Sequence, residues 1–360
     1  MTGTEGRPRT IRTAVVGYGL AGSVFHAPLL ATNASYSLDV IATSDAGRQA
    51  AASARLPAVE VVRDGTAVID RAAGLELVVL ATPPMTHYPL AKAALEAGLD
   101  VVVDKPFAVA SGQGQELIDL AQERGRVLTV FHNRRWDGDF LTLRKLLAAR
   151  ALGEVTRFES RFERWSPAIG KAWKARATAA DGGGALFDLG SHLIDQALQL
   201  FGPASVPHAE LKARRSDERA DDDVFLVLRH RSGVISHLAM NMLCAQQGPR
   251  FRVLGSIGGF TKHGVDPQEP YIAAGGSPLD AEYGVEAPEW AGVLGRDGHL
   301  DRLPTERGNY PEFYRLLAEK ILDGGTESPL PLPVNPEDAV EVLKIMEKAR
   351  ELAKSQSIAP

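Results

Sequence analysis

The strongest constraint on this chain is the alternation of residues 11–131. Apolar runs of strand length recur at 11–16, 38–42, 58–62, 75–81, 99–103 and 127–131, separated by amphipathic helical stretches such as 88–97 and 113–123. Near-continuous Val, Leu and Ile runs escape water on both faces only when helices cover both sides of a parallel sheet. The pattern therefore predicts an α/β chain that opens with a Rossmann-type, doubly wound parallel sheet. Its first strand runs into Gly17-Tyr18-Gly19-Leu20-Ala21-Gly22. In this GxGxxG pattern Gly17 permits a tight turn, Gly19 lets the backbone approach a pyrophosphate, and Gly22 lets the next helix pack on the strand. Free N–H groups at that helix start would face the phosphates. All six residues are candidate dinucleotide contacts.

Ligands of such sheets lie at the carboxyl ends of the strands. The second strand ends in Thr43-Ser44-Asp45, with Arg48 nearby. A carboxylate in this place would hold a ribose diol; the hydroxyls of Thr43 and Ser44 with Arg48 suit a 2′-phosphate, so NADP is expected, and Asp45 leaves NAD open. Thr82, Pro83, Pro84 and His87 follow the fourth strand, Asp104, Lys105 and Pro106 the fifth, and His132, Asn133, Arg134, Arg135 and Trp136 the sixth. Thr82, Pro83, Pro84, Asp104, Lys105, Asn133 and Arg135 are read as cofactor-edge residues. His87 is either another or the first residue of a helix, and His26 packs beside the phosphate turn. Lys105, held against the cleft by Val101-Val102-Val103, is a candidate reactive lysine; the alternative is a surface lysine.

After Phe131 the character changes, and all four tryptophans fall there. Alternating segments at 154–164, 206–214, 224–231, 234–242 and 251–257 predict a large, mostly antiparallel, open-faced sheet in an α+β domain, with helices at 140–149, 185–201, 311–322 and 336–353. The expected organisation is a flexible start (1–10), a dinucleotide-binding domain (11–133), a substrate-binding and oligomerisation domain (134–335), and a C-terminal helix (336–360) returning to the domain junction. The 185–201 helix follows Gly182-Gly183-Gly184 and bears Asp188 and His192 four residues apart, on one helical face. A carboxylate there orients an imidazole and raises its basicity; an exposed ion pair is the alternative. Arg135 and Trp136 either line a polyol cleft or hold the domain junction. Trp165, Trp173 and Tyr310 are further candidate substrate contacts. Asp221-Asp222-Asp223 reads as a solvated strand entry, and Cys244 as core.

Composition closes other routes. The net charge of −5 is spread along the chain with no basic stripe, so no nucleic-acid partner is expected. One cysteine excludes an internal disulfide and fits a cytoplasmic location. The histidines lack metal-ligand spacing. No apolar run approaches the ~18 residues of a membrane helix, and residues 1–12 lack the apolar core of a signal peptide.

Taken together, the GxGxxG turn, Asp104-Lys105-Pro106 and the Gly-rich segment leading to Asp188-x-x-x-His192 resemble the glucose-fructose oxidoreductase / inositol dehydrogenase (Gfo/Idh/MocA) family, from about Ile11 to about Leu352. Asp104 stands where the family usually has glutamate. The segments 131–137, 188–195, 262–269 and 308–310, with Trp173, are similar to NADP-dependent scyllo-inositol dehydrogenases. The resemblance implies catalytic roles for Lys105, Asp188 and His192, and hydride transfer between a nicotinamide cofactor and a ring hydroxyl or ketone of a cyclitol or sugar. It leaves open whether Lys105 or His192 is the principal base. The open-faced sheet, with helices on one face only, leaves the other face to cover, and strands such as 234–243 and 251–254 are apolar enough to pair with another subunit; a homodimer or homotetramer is expected, as the resemblance also implies. The competing reading is a non-catalytic, dinucleotide-binding regulatory protein of the same fold.

Overall fold

The computed structural model describes residues 9–168, 177–216 and 219–356. Strands β1 (Ile11–Val16), β2 (Tyr36–Ala42), β3 (Glu60–Val62), β4 (Leu77–Leu80), β5 (Asp100–Asp104) and β6 (Leu128–Phe131) form a parallel sheet in the order β3-β2-β1-β4-β5-β6. This is the doubly wound order, and the crevice opens where it reverses, between β1 and β4. Val78, Val79, Val101 and Val102 are wholly buried, which is why their runs carry no alternation.

Strands β7 (Val155–Glu163), β8 (Ala204–Lys212), β9 (Asp223–His230), β10 (Ile235–Asn241), β11 (Phe251–Gly255), β12 (Gly259–Lys262), β13 (Gly292–Arg296) and β14 (His299–Leu303) form the second sheet. Its order is β14-β13-β12-β11-β7-β10-β9-β8, antiparallel except for the β7–β10 pair. Helices Ser191–Phe201 and Pro336–Gln356 pack on one face, where Phe158, Phe162, Leu238 and Met240 are buried. The last three strands escaped the sequence pattern. β12 is four residues long, and β13 and β14 form a hairpin around Asp297-Gly298 whose second strand is mostly exposed.

Several expectations need correction. Asp221 and Asp222 are buried, not solvated: Asp222 pairs with Arg215 at 3.0 Å, and Asp221 caps a turn described below. Cys244 is half-exposed, its thiol donating to the Gln246 carbonyl at 3.0 Å. The helix expected over 185–201 begins as a π-helical turn, Leu186–Gly190, before the α-helix Ser191–Phe201.

Candidate active site

The glycine turn after β1 is tight enough to exclude side chains. Gly17 has φ +100°, and a Cβ on it would lie 2.5 Å from the Ala81 carbonyl oxygen. A Cβ on Gly22 would lie 1.9 Å from the Gly17 carbonyl oxygen. Gly19 is different: a Cβ there would meet only the Arg48 guanidinium, at 3.7 Å. An exposed cation thus spans the mouth of a loop of backbone N–H groups. Asp45 caps helix Ala46–Arg55 by accepting from Arg48 N at 2.9 Å, so its carboxylate is already engaged. Thr43 is nearly buried and Ser44 exposed. Leu20 is exposed on the loop, whereas the Tyr18 ring is buried and only its backbone belongs to the turn. Donors, a cation and a hydroxyl at this edge fit the phosphates of a nicotinamide dinucleotide.

Lys105 emerges from the end of β5, its own N–H bonded to Asp104 Oδ1 at 2.9 Å. Its Nζ donates to the Asp188 carbonyl oxygen at 2.8 Å and to Asp188 Oδ1 at 3.1 Å. Residues from the two halves of the chain therefore meet at one point. Asp221 holds the turn bearing Asp188: its carbonyl accepts from Ala185 N at 2.6 Å and its carboxylate from Leu186 N at 2.7 Å. A Cβ on Gly184 would collide with that carboxylate at 2.7 Å. The four-residue spacing of Asp188 and His192 crosses this π-helical turn into the α-helix that follows. The contact of Asp188 with Lys105 was not foreseen from that spacing.

His192 is 5% exposed, and among the described residues its Nδ1 has no hydrogen-bond partner. Its ring packs 6.5 Å from Phe162. Burial, then the positive charges of Lys105, Arg134, His132 and Arg250, hold its pKa well below the ordinary histidine value. It is neutral at pH 7 and able to accept a proton. Arg134 and Arg250 lie over the same Phe162 ring, at 4.8 and 5.1 Å.

The other candidates divide. Asn133 is nearly buried where the chain leaves β6, and Thr82, Pro83 and Pro84 lie at the end of β4. His87 is the first residue of its helix and is buried, with Nδ1 2.9 Å from the Pro106 carbonyl and Nε2 2.8 Å from the Thr82 carbonyl. It ties the β4 loop to the segment after Lys105. Buried His26 bonds Tyr314 at 2.7 Å and lies 3.9 Å from Asp104. Burial opposes ionisation of Asp104, but His26 and Lys105 hold its pKa below the usual value. Arg135 is at the domain junction, bidentate on Asp195 at 2.9 and 2.5 Å and reaching Asp338 at 3.0 Å. Trp136 packs edge-on against Phe313, and Tyr310 is wholly buried with its hydroxyl on Asp137 at 2.7 Å, so both belong to the core. Trp165 is 61% exposed and lies beyond the end of β7, bridged to Leu243. Trp173 lies outside the described residues. Among those residues no group of acids, histidines and cysteine could hold a metal, and no helix is long and apolar enough to cross a membrane.

Comparison with known proteins shows the family. Residues 11–132 match the model of the oxidoreductase family with an NAD-binding Rossmann fold, and residues 140–261 match that of the GFO/IDH/MocA C-terminal domain. The chain belongs to the Gfo/Idh/MocA family of oxidoreductases. Among curated relatives of this family, the uncharacterized oxidoreductase YdgJ of Escherichia coli (strain K12) is 40% identical over 96% of this chain and 97% of its own. The scyllo-inositol 2-dehydrogenase (NADP(+)) IolW of Bacillus subtilis (strain 168) is 35% identical over 96% and 95%. The solved structure of the YPO2259 putative oxidoreductase from Yersinia pestis superposes with a TM-score of 0.87 at 37% identity, covering 99% of both chains.

In this Gfo/Idh/MocA site, sequence reasoning gave no role to His132, Arg134 and Arg250. His132 is buried 4.0 Å from Asp195 and contributes to the field at His192. Its position directly after β6 was the available signal; Arg250, from just before β11, left none.

Proposed function

We propose that this oxidoreductase transfers a hydride between NADP, in preference to NAD, and a ring hydroxyl or ketone of a cyclitol or sugar. The observation that carries the reading is the Lys105 ammonium on Asp188, next to a neutral His192. The dinucleotide would lie along Gly17–Gly22, Thr43, Ser44 and Arg48. Arg48 over Gly19 and the engagement of Asp45 as a helix cap support the 2′-phosphate form. Relatedness to IolW supports a cyclitol.

When bound, the nicotinamide supplies the two-electron acceptor or donor. The chain manages the proton. His192, enclosed at Nδ1, takes the carbinol proton at Nε2. Lys105 has three N–H donors; two engage Asp188 and the third remains for the carbinol oxygen, where it stabilises developing negative charge. Asp188 orients that ammonium. In reduction the same groups return the proton. On this reading His192 is the principal base and Lys105 the electrostatic partner.

The test is absorbance at 340 nm with NADP and NAD against scyllo-inositol, myo-inositol and common aldopyranoses. Turnover with at least one polyol, faster with NADP, is expected. Tight nucleotide binding without turnover on any of them would favour a regulatory protein instead. We also propose self-association through the helix-free face of the second sheet, where Arg157, Phe225, Val227 and His237 are half-exposed. Light scattering that finds only the monomer mass would overturn it.

A further inference from the structure

Helix Pro336–Gln356 touches both halves of the site with two side chains one turn apart. Glu347 accepts from the N–H and the hydroxyl of Ser111, both at 2.7 Å. Ser111 opens helix Ser111–Arg124, in the segment that follows Lys105 and Pro106. Arg350 donates to the carbonyls of Ala179 at 2.7 Å and Gly183 at 3.4 Å. Its guanidinium carbon lies 4.2 Å from the Phe187 ring centroid, and Nη2 is 3.9 Å from Asp221 Oδ1.

These contacts converge on the supports of the turn bearing Asp188. Ala179 and Gly183 belong to the segment entering it, Phe187 precedes Asp188, and Asp221 holds Ala185 and Leu186. The glycines of that segment have no side chains with which to anchor themselves. A Cβ on Gly182 would lie 3.0 Å from Pro84 Cβ and 3.1 Å from Val109 Cγ1, so this stretch is pressed against the Rossmann half. Its carbonyls are the available handles. A planar fork that binds two carbonyls while its face covers an aromatic ring is a task for arginine, not lysine.

We propose that Arg350, with Glu347 beside it, is a positioning residue: together they lock the Asp188 turn onto the domain that carries Lys105 and so set the Lys105–Asp188 contact. The inference rests on the catalytic reading given above. In Arg350→Ala, kcat on the best substrate of the screen falls by about 10²-fold, the cost of roughly 1 Å of misplacement, while KM and the NADPH dissociation constant stay within about twofold. Millimolar methylguanidinium restores part of the lost turnover, which general structural damage would not allow. Arg350→Lys stays impaired.

The His192 ring, assigned by its absence in His192→Gln and titrated by NMR, reads the same displacement without turnover. In Arg350→Ala it should titrate closer to an ordinary histidine, as the Lys105 ammonium moves away from it. An unchanged kcat, or with no turnover an unchanged His192 titration, overturns the proposal. A kcat loss matched by lost NADPH affinity does so too. If Arg350→Ala does not fold, Glu347→Gln and Arg350→Lys decide by the same readouts. A wild-type protein inert toward every polyol refutes the catalytic reading, and the NMR arm still judges the positioning role.

Discussion

Replacing His192 by glutamine separates proton transfer from everything else the site does. The side chain keeps much of its size but no longer accepts a proton. Because Nδ1 has no partner among the described residues, the substitution breaks no hydrogen bond at that atom. The nucleotide residues Gly17–Gly22, Thr43 and Arg48 all belong to the other half of the chain. A positioned general base is worth about 10²–10⁴-fold, or roughly 2.7–5.4 kcal/mol of barrier. His192→Gln should therefore lose that much kcat at 340 nm with saturating NADP, while the NADPH dissociation constant from fluorescence titration is unchanged. Lys105→Met removes charge stabilisation of the carbinol oxygen and should cost about 10²–10³-fold, the scale of a lost oxyanion donor. If His192→Gln keeps kcat within about threefold of wild type while Lys105→Met abolishes it, the base is Lys105 and the assignment made from burial and charge is wrong.

The pH profile follows from the sign of the His192 shift. A base whose pKa is lowered is present above that value and lost as pH falls through it, so the acid limb of kcat/KM should have its midpoint below about 6.5, and a midpoint above 7 contradicts the field ascribed to Lys105, Arg134 and Arg250. Arg48→Ala should weaken NADP binding by about 10- to 100-fold, the ~1.5–3 kcal/mol of a charged hydrogen bond, and leave NAD nearly unaffected; equal losses for both nucleotides would place Arg48 away from the 2′-phosphate. Gly22→Ala, whose methyl would lie 1.9 Å from the Gly17 carbonyl oxygen, should abolish nucleotide binding and destabilise the protein by about 1–3 kcal/mol, seen as a lower Tm.

The dinucleotide edge was legible in the sequence because its information is local. Whether a strand is buried on both faces is written in its own run of residues, and Gly22 is required by the Gly17 carbonyl one turn away, although Gly17 itself answers to the Ala81 carbonyl at the end of β4. Lys105, Asp188 and His192 were legible as types in a pattern. Their roles were not: α-helical spacing predicted an Asp188–His192 couple, and nothing in that spacing announced that the Lys105 ammonium lies on Asp188. The turn bearing Asp188 depends on Asp221 and Arg350, both distant in sequence, and each looks like an ordinary surface charge until packing encloses it. The same holds for Arg135, Trp136 and Tyr310, which resemble cleft residues by type but are claimed by Asp195, Phe313 and Asp137. The sequence by itself determined the parallel sheet, its carboxyl edge and the candidates for the reacting groups. Only the tertiary structure decided which of them touch and which is neutral, because burial and Coulomb interactions sum over neighbours that chain order does not reveal.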